Sequence, residues 1–145
     1  GFFQHGHTYI GHPMACAAAD VVVQKLTDGG MTDRAARMGT VLDGALHDAF
    51  GQHPNVGDIR GRGLFRGLEL VADRDTKAPF DPALGLHKAL KAAAFDAGLI
   101  CYPMGGTIDG RRGDHVLLAP PFIITEDQIG ELVDKLSTAM RAVLP

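Results

Sequence analysis

Cysteine is scarce in this 145-residue chain. Cys16 and Cys101 are too few for a disulfide framework, so both are expected as thiols, free or buried among apolar neighbours, in a reducing, cytoplasmic setting. Positive charge is not in excess either: 14 Lys and Arg against 17 Asp and Glu leave a formal net charge of -3, which gives no field to hold a polyphosphate backbone and argues against a nucleic-acid binder. No apolar run approaches the roughly 20 residues needed to span a bilayer, so no membrane partner is expected. Gly1-Phe2-Phe3-Gln4-His5 also lacks the basic and apolar regions of a signal peptide. There is no initial Met, and the chain opens in a stretch dense with His and Gly; the expectation is a piece of a longer protein. What is present, 46% hydrophobic and 21% charged residues, is the balance of an ordinary globular domain with one core.

The pattern along the chain predicts the element order ααββαββα. Pro13 suits the first turn of a helix, and Ala15 to Leu26, rich in Ala and Val, reads as a buried helix ended by Asp28-Gly29-Gly30. Thr32 is a candidate N-cap for a second, amphipathic helix in which Ala35, Met38, Leu42 and Leu46 recur at helical spacing. Gly39 and Gly44 inside it suggest close packing against a neighbour. Residues 56–62 and 64–71 read as a bent or bulged antiparallel pair. Residues 83–97 read as a helix closed by Gly98, 99–102 and 115–119 as short strands, and Thr125 as the N-cap of a last helix running to about Val143. The implied fold class is α+β, a small, mainly antiparallel sheet covered by helices.

Several groups invite chemistry. His5, His7 and His12 crowd one loop, but no nearby carboxylate is present to orient the rings around a zinc ion, and a tight loop with local hydrogen bonds accounts for them as well. Thr8, ahead of the helix that starts at Pro13, has the hydroxyl and neighbouring amides suited to an anion. The run from Gly61 to Gly67 has the wrong spacing for a nucleotide-binding loop and lies between strands, which points to a structural turn. Cys16 and Cys101 read as small core residues. Lys25, Lys77, Lys88, Lys91 and Lys135 all read as solvated.

Five blocks, taken together, carry a resemblance: His5-Gly6-His7-Thr8-Tyr9 running through Gly11-His12-Pro13 to Ala15-Cys16-Ala17-Ala18; His53-Pro54 with Val56-Gly57, Ile59-Arg60-Gly61 and Gly63-Leu64; Gly67 with Glu69-Leu70-Val71; Gly98-Leu99-Ile100; and Ala119-Pro120-Pro121 with Ile123-Ile124-Thr125. In order and spacing they resemble the C-terminal third of class III aminotransferases, pyridoxal-phosphate (PLP) enzymes of fold type I, and among them the ω-amino acid:pyruvate transaminases most. The resemblance covers essentially the whole chain. It implies that residues 1–12 are a cofactor-phosphate loop from the end of the large domain, 13–30 a connecting helix and 31–145 the small domain.

The resemblance further implies a homodimer with PLP as cofactor, an amine or ω-amino acid as donor and a 2-oxo acid such as pyruvate as acceptor. Thr8 matches the family threonine that reaches the PLP phosphate of the other subunit. The Schiff-base lysine lies upstream of that motif in the family, so the isolated chain is expected to be inactive. Two positions depart from the family. Leu117 stands where an arginine holds 2-oxoglutarate in other branches, and Tyr102 stands where an ω-transaminase arginine binds substrate carboxylate. The glycine-rich stretch from Gly105 to Gly113 carries Arg111 and Arg112, either of which could supply the missing cation; the alternative is that both are solvated. A different class of function also fits a chain without that lysine, a non-catalytic ligand-binding or dimerisation module.

Overall fold

The computed structural model describes all residues from Gly1 to Pro145. The element order is α1 (Pro13–Thr27), α2 (Met31–Phe50), β1 (Val56–Arg62), β2 (Phe65–Leu70), α3 (Leu86–Asp96), β3 (Tyr102–Gly105), β4 (Asp114–Leu118) and α4 (Glu126–Val143). The four strands form one sheet in the order β1-β2-β4-β3, and every neighbouring pair is antiparallel. The expected bulge lies between Val56 and Asp58, where the β1–β2 register shifts at Gly57.

Helices cover one face of the sheet. Val56, Leu68, Leu70, Val116 and Leu118 point inward and meet Met38, Leu42, Leu46 and Phe50 of α2, Leu86 and Leu90 of α3, and Ile129, Leu136 and Met140 of α4. The period-2 alternation of β4 and the helical spacing of α2 and α4 thus converge on one core. A capping box starts α4: the Gln128 amide donates to the Thr125 hydroxyl, and the Thr125 amide donates to the Gln128 side chain.

Four local expectations are corrected. α1 has no buried residue, because nothing else in the chain covers it, and Cys16 on it is exposed rather than in the core. α2 starts from Gly30 (φ 65°) with no side-chain cap, and the Thr32 hydroxyl turns back to the Leu26 carbonyl. The expected helix over 83–97 splits at Gly85 (φ 57°) into a single 3-10 turn and α3. Finally, β3 begins only at Tyr102: the Leu99 amide is spent on the Ala94 carbonyl and the Gly98 amide on the Phe95 carbonyl, closing α3 around Gly98 (φ 77°) before the chain can enter the ladder.

The turn between β1 and β2 is structural, as its spacing indicates. Arg66, largely buried, donates to the carbonyls of Gly39, Gly61 and Gly63 and pairs with Asp43 at 2.8 Å, tying α2 to the hairpin. Only glycine permits that approach: a Cβ on Gly39 would lie 2.4 Å from the Gly63 carbonyl carbon. Gly44, by contrast, faces open space, so the close packing expected there does not occur.

The two glycines of α2 should therefore respond in opposite directions. Gly44→Ala is expected to stabilise the chain by about 1 kcal/mol through helix propensity. Gly39→Ala should destabilise it by about 2 kcal/mol or more by overpacking. Urea unfolding of both variants checks the pair, and a Gly39→Ala variant as stable as the parent would contradict the packing.

Candidate functional site

Thr8 opens a turn that leads into α1. The Ile10 amide donates to the His7 carbonyl and the His12 amide to the Tyr9 carbonyl, and the His12 ring then caps the helix by accepting from the Ala15 amide at 3.4 Å. One of the three loop histidines is thus accounted for locally, while the His5 and His7 rings stack edge to face at 5.0 Å. The Thr8 hydroxyl and the Thr8 and Tyr9 amides donate to nothing within the chain. Three exposed donors next to a helix N-terminus fit a phosphate group, whose oxygens are acceptors only.

The sheet face away from the helices is uncovered. Its middle row is set by strand pairing: Arg60 opposes Gly67, Gly67 opposes Leu117, and Leu117 opposes Tyr102. The two positions at which this sequence departs from the arginine-bearing pattern are therefore direct cross-strand neighbours on one surface, and both are uncharged. Arg60 shares that row but is neutralised twice, by Asp58 at 2.8 Å and Glu69 at 2.7 Å. In the next row Glu69 opposes His115 and His115 opposes Met104. Burial, with the Arg60 charge in support, pushes the His115 imidazole below its usual pKa, and its Nδ1 is buried without a partner.

The loop between β3 and β4 folds on itself instead of splaying out. Thr107 donates through its amide to the Gly113 carbonyl, Ile108 to the Arg112 carbonyl and Gly110 to the Gly106 carbonyl. Asp109 braces the tip, accepting from the amides of Arg111 and Arg112 and from Arg112 Nε at 2.7 Å. Those contacts, led by the Arg112 amide, hold the Asp109 carboxyl down at about 2. The loop also reaches over the sheet: Thr107 closes a cavity of about 220 Å³ whose floor includes Gly67, His115 and Leu117. Both arginines are exposed, and only Arg112 is engaged; the Arg111 guanidinium has no partner in the chain.

Thr8, Tyr102, Arg111 and Arg112 are thus placed as follows. The structure brings Tyr102 and the arginine-bearing loop to the same sheet, while Thr8 sits apart on the turn before α1. His87, Asp114 and His115 are not singled out by sequence. For His115 the alternation from Asp114 to Leu118 is a usable signal, whereas the contact of His87 with Asp114, at 2.9 Å and 27 residues apart, has no local signature. Cys101 is half-buried, and burial pushes its thiol up, which disfavours the thiolate.

Residues 2–140 match the family model of class III aminotransferases. An uncharacterised aminotransferase of Schizosaccharomyces pombe is 51% identical over all of this chain and 31% of its own length. The diaminobutyrate–2-oxoglutarate transaminase of Halomonas elongata is 34% identical over 96% of this chain and 28% of its own. Among solved structures, a PLP-bound aminotransferase mutant from Vibrio fluvialis superposes with a TM-score of 0.84 at 35% identity, over 97% of this chain and 29% of that one. An ω-aminotransferase from Paracoccus denitrificans gives the same TM-score, identity and coverage. The chain spans about a third of the length of the relatives it matches. By its sequence over nearly its whole length and by its fold, this chain belongs to the class III aminotransferases.

Proposed function

We propose that this chain works as the C-terminal part of a PLP-dependent transaminase that moves an amino group between an amine or ω-amino acid and a 2-oxo acid such as pyruvate. Residues 1–12 form the phosphate loop, 13–30 the connecting helix and 31–145 the small domain. PLP, when bound, supplies the electron sink that lets the amino group leave one carbon and join another. Everything else is the protein's. The Thr8 hydroxyl and the two open amides beside it hold the phosphate of the cofactor in the partner subunit. A homodimer is supported by the apolar residues that α1 and its approach leave uncovered, including Tyr9, Ile10, Met14 and Val21 to Val23. A cytoplasmic setting is supported by the scarcity of cysteine, and no helix is long and apolar enough to cross a membrane.

The observation that carries the substrate reading is the cross-strand pairing of Tyr102 with Leu117. With both positions uncharged, the acid carboxylate needs a cation from elsewhere. The loop that overhangs the same face offers Arg111 unpaired, with Arg112 held beside it. Guanidinium to carboxylate is the pairing for which Arg is best suited, because two parallel N–H groups meet two oxygens. Tyr102 then lines the acid site as a flat, uncharged wall that also tolerates the side chain of an amine donor. The alternative of a non-catalytic module draws no support from the family match, which lies among aminotransferases.

In the holoenzyme, Thr8→Ala should weaken PLP binding by roughly 10- to 150-fold, the cost of one hydrogen bond to a charged partner. A spectrophotometric titration with unchanged affinity would remove Thr8 from the phosphate site. Replacing Arg111 and Arg112 together by Ala should raise the KM for pyruvate by about tenfold or more, most of it reproduced by Arg111→Ala alone. The half-reaction with an uncharged amine donor should barely change. Equal losses in both half-reactions, or none in either, would contradict the role of the loop.

A further inference from the structure

Asp114 is one of two buried polar or charged residues in the chain, and it stands at the root of the β3–β4 loop. Its side-chain partner is His87 in the first turn of α3, whose Nδ1 lies 2.9 Å from Asp114 Oδ1. The same oxygen accepts from the His87 amide at 3.3 Å. Since a carboxylate can only accept, Nδ1 carries the proton. α3 has no side-chain cap of its own, Gly85 being its N-cap, so Asp114 fills that function from a neighbouring strand and places negative charge at the helix N-terminus.

The imidazole also defines where the loop can start. Asp114 opposes Gly105, the last pair of the β3–β4 ladder, and a Cβ on Gly105 would lie 2.5 Å from His87 Nδ1. The ring is therefore seated against the backbone of β3 while holding the side chain of β4. Beyond this point Gly106 (φ 81°) and Gly113 (φ 91°) form the two legs of the loop, and both are bonded into it: the Gly106 carbonyl accepts from the Gly110 amide and the Gly113 carbonyl from the Thr107 amide, with the Ile108 amide donating to the Arg112 carbonyl between them. These bonds close only while the two legs are held side by side, so both the closure of the loop and its direction are decided at its root, where Gly105 and Asp114 end the ladder. No hydrogen bond links the tip to the sheet; the loop's one approach to the face is Thr107 at the rim of the cavity.

We infer that His87 and Asp114 form a latch that sets the direction of the 106–113 loop, making them positioning residues for Arg111. This rests on the reading of that loop as the acid-binding element, but the latch itself is testable without it. Neither residue touches the row formed by Arg60, Gly67, Leu117 and Tyr102: His87 is on α3, and the Asp114 side chain is on the helix-covered side of β4. Any effect on substrate would have to pass through the loop.

The test compares His87→Ala, His87→Asn and the parent in the holoenzyme by amide hydrogen exchange and steady-state kinetics. His87→Ala removes the bond to Oδ1 and should speed exchange at the Thr107, Ile108 and Gly110 amides about tenfold or more, with the Ile129 and Leu136 amides of α4 unchanged. Asn places a donor near the position of Nδ1 and should restore most of the protection. The KM for pyruvate should rise several-fold in the Ala variant with kcat for the amine half-reaction preserved, and Asn should recover it. Loop exchange equal to the parent in His87→Ala, or a uniform rise that includes α4, overturns the latch. Faster loop exchange with an unchanged pyruvate KM keeps the latch and overturns the acid-binding role of the loop instead.

Discussion

The parity of β4 is the constraint from which the placement of the other parts follows. Asp114, Val116 and Leu118 point into the helices, and His115 and Leu117 point out. Val116 is fully buried, so slipping β4 by one residue would exchange it for His115 and put an imidazole into an apolar core. The register is held on both sides, to β2 through five pairs and to β3 through four. Once it is fixed, Leu117 must face away from the core, Tyr102 must stand beside it, and Asp114 must turn toward α3. The uncovered face and the root of the loop are consequences of a single burial pattern.

That pattern also separates the chain's arginines by task. Arg66 is used up by three carbonyls and Asp43, Arg34 by the carbonyls of Phe122, Ile123 and Ile124, and Arg60 by two carboxylates. Each of these holds one segment against another. Arg34 in particular anchors the stretch after Pro120-Pro121 to α2, so the motif that follows β4 is fastened from the helix side. Arg111, like Arg37 and Arg62, is given nothing to hold by the fold, but of these three it alone stands on the β3–β4 loop. A guanidinium retained on an internally braced loop and left without a partner is available to a ligand, and its strength comes from two-point geometry with a carboxylate.

Much of this was legible in the sequence, and the parts that were not have physical reasons. Helix and strand order follow from periodicity and from strong local signals, such as Thr125 before Glu126 and Gly98 after Ala97, whose bonds are made within a few residues. The exposure of α1 is not legible because an Ala- and Val-rich helix declares that it wants cover without saying whose, and within this chain the cover is absent. Gly39 and Gly44 look alike in sequence; only the position of Gly63 across the hairpin tells them apart. Thr8 is marked by its place before a helix N-terminus and given its phosphate partner by resemblance, Tyr102 and the two arginines stand out through resemblance alone, and the division of labour between Arg111 and Arg112 depends on Asp109 turning back onto one of them. His87 stayed hidden because its partner is 27 residues away in sequence.

We propose that the uncovered face with Tyr102 and Leu117 receives the acid and that the overhanging loop supplies its cation. The most direct measurement is a crystal structure of the holoenzyme with a bound 2-oxo acid or a non-reactive carboxylate analogue. The Arg111 guanidinium is expected within about 2.7–2.9 Å of the ligand carboxylate, with Tyr102 and Leu117 lining the same pocket. A carboxylate held by another cation, with the loop turned away from the sheet and Arg111 in solvent, would contradict it.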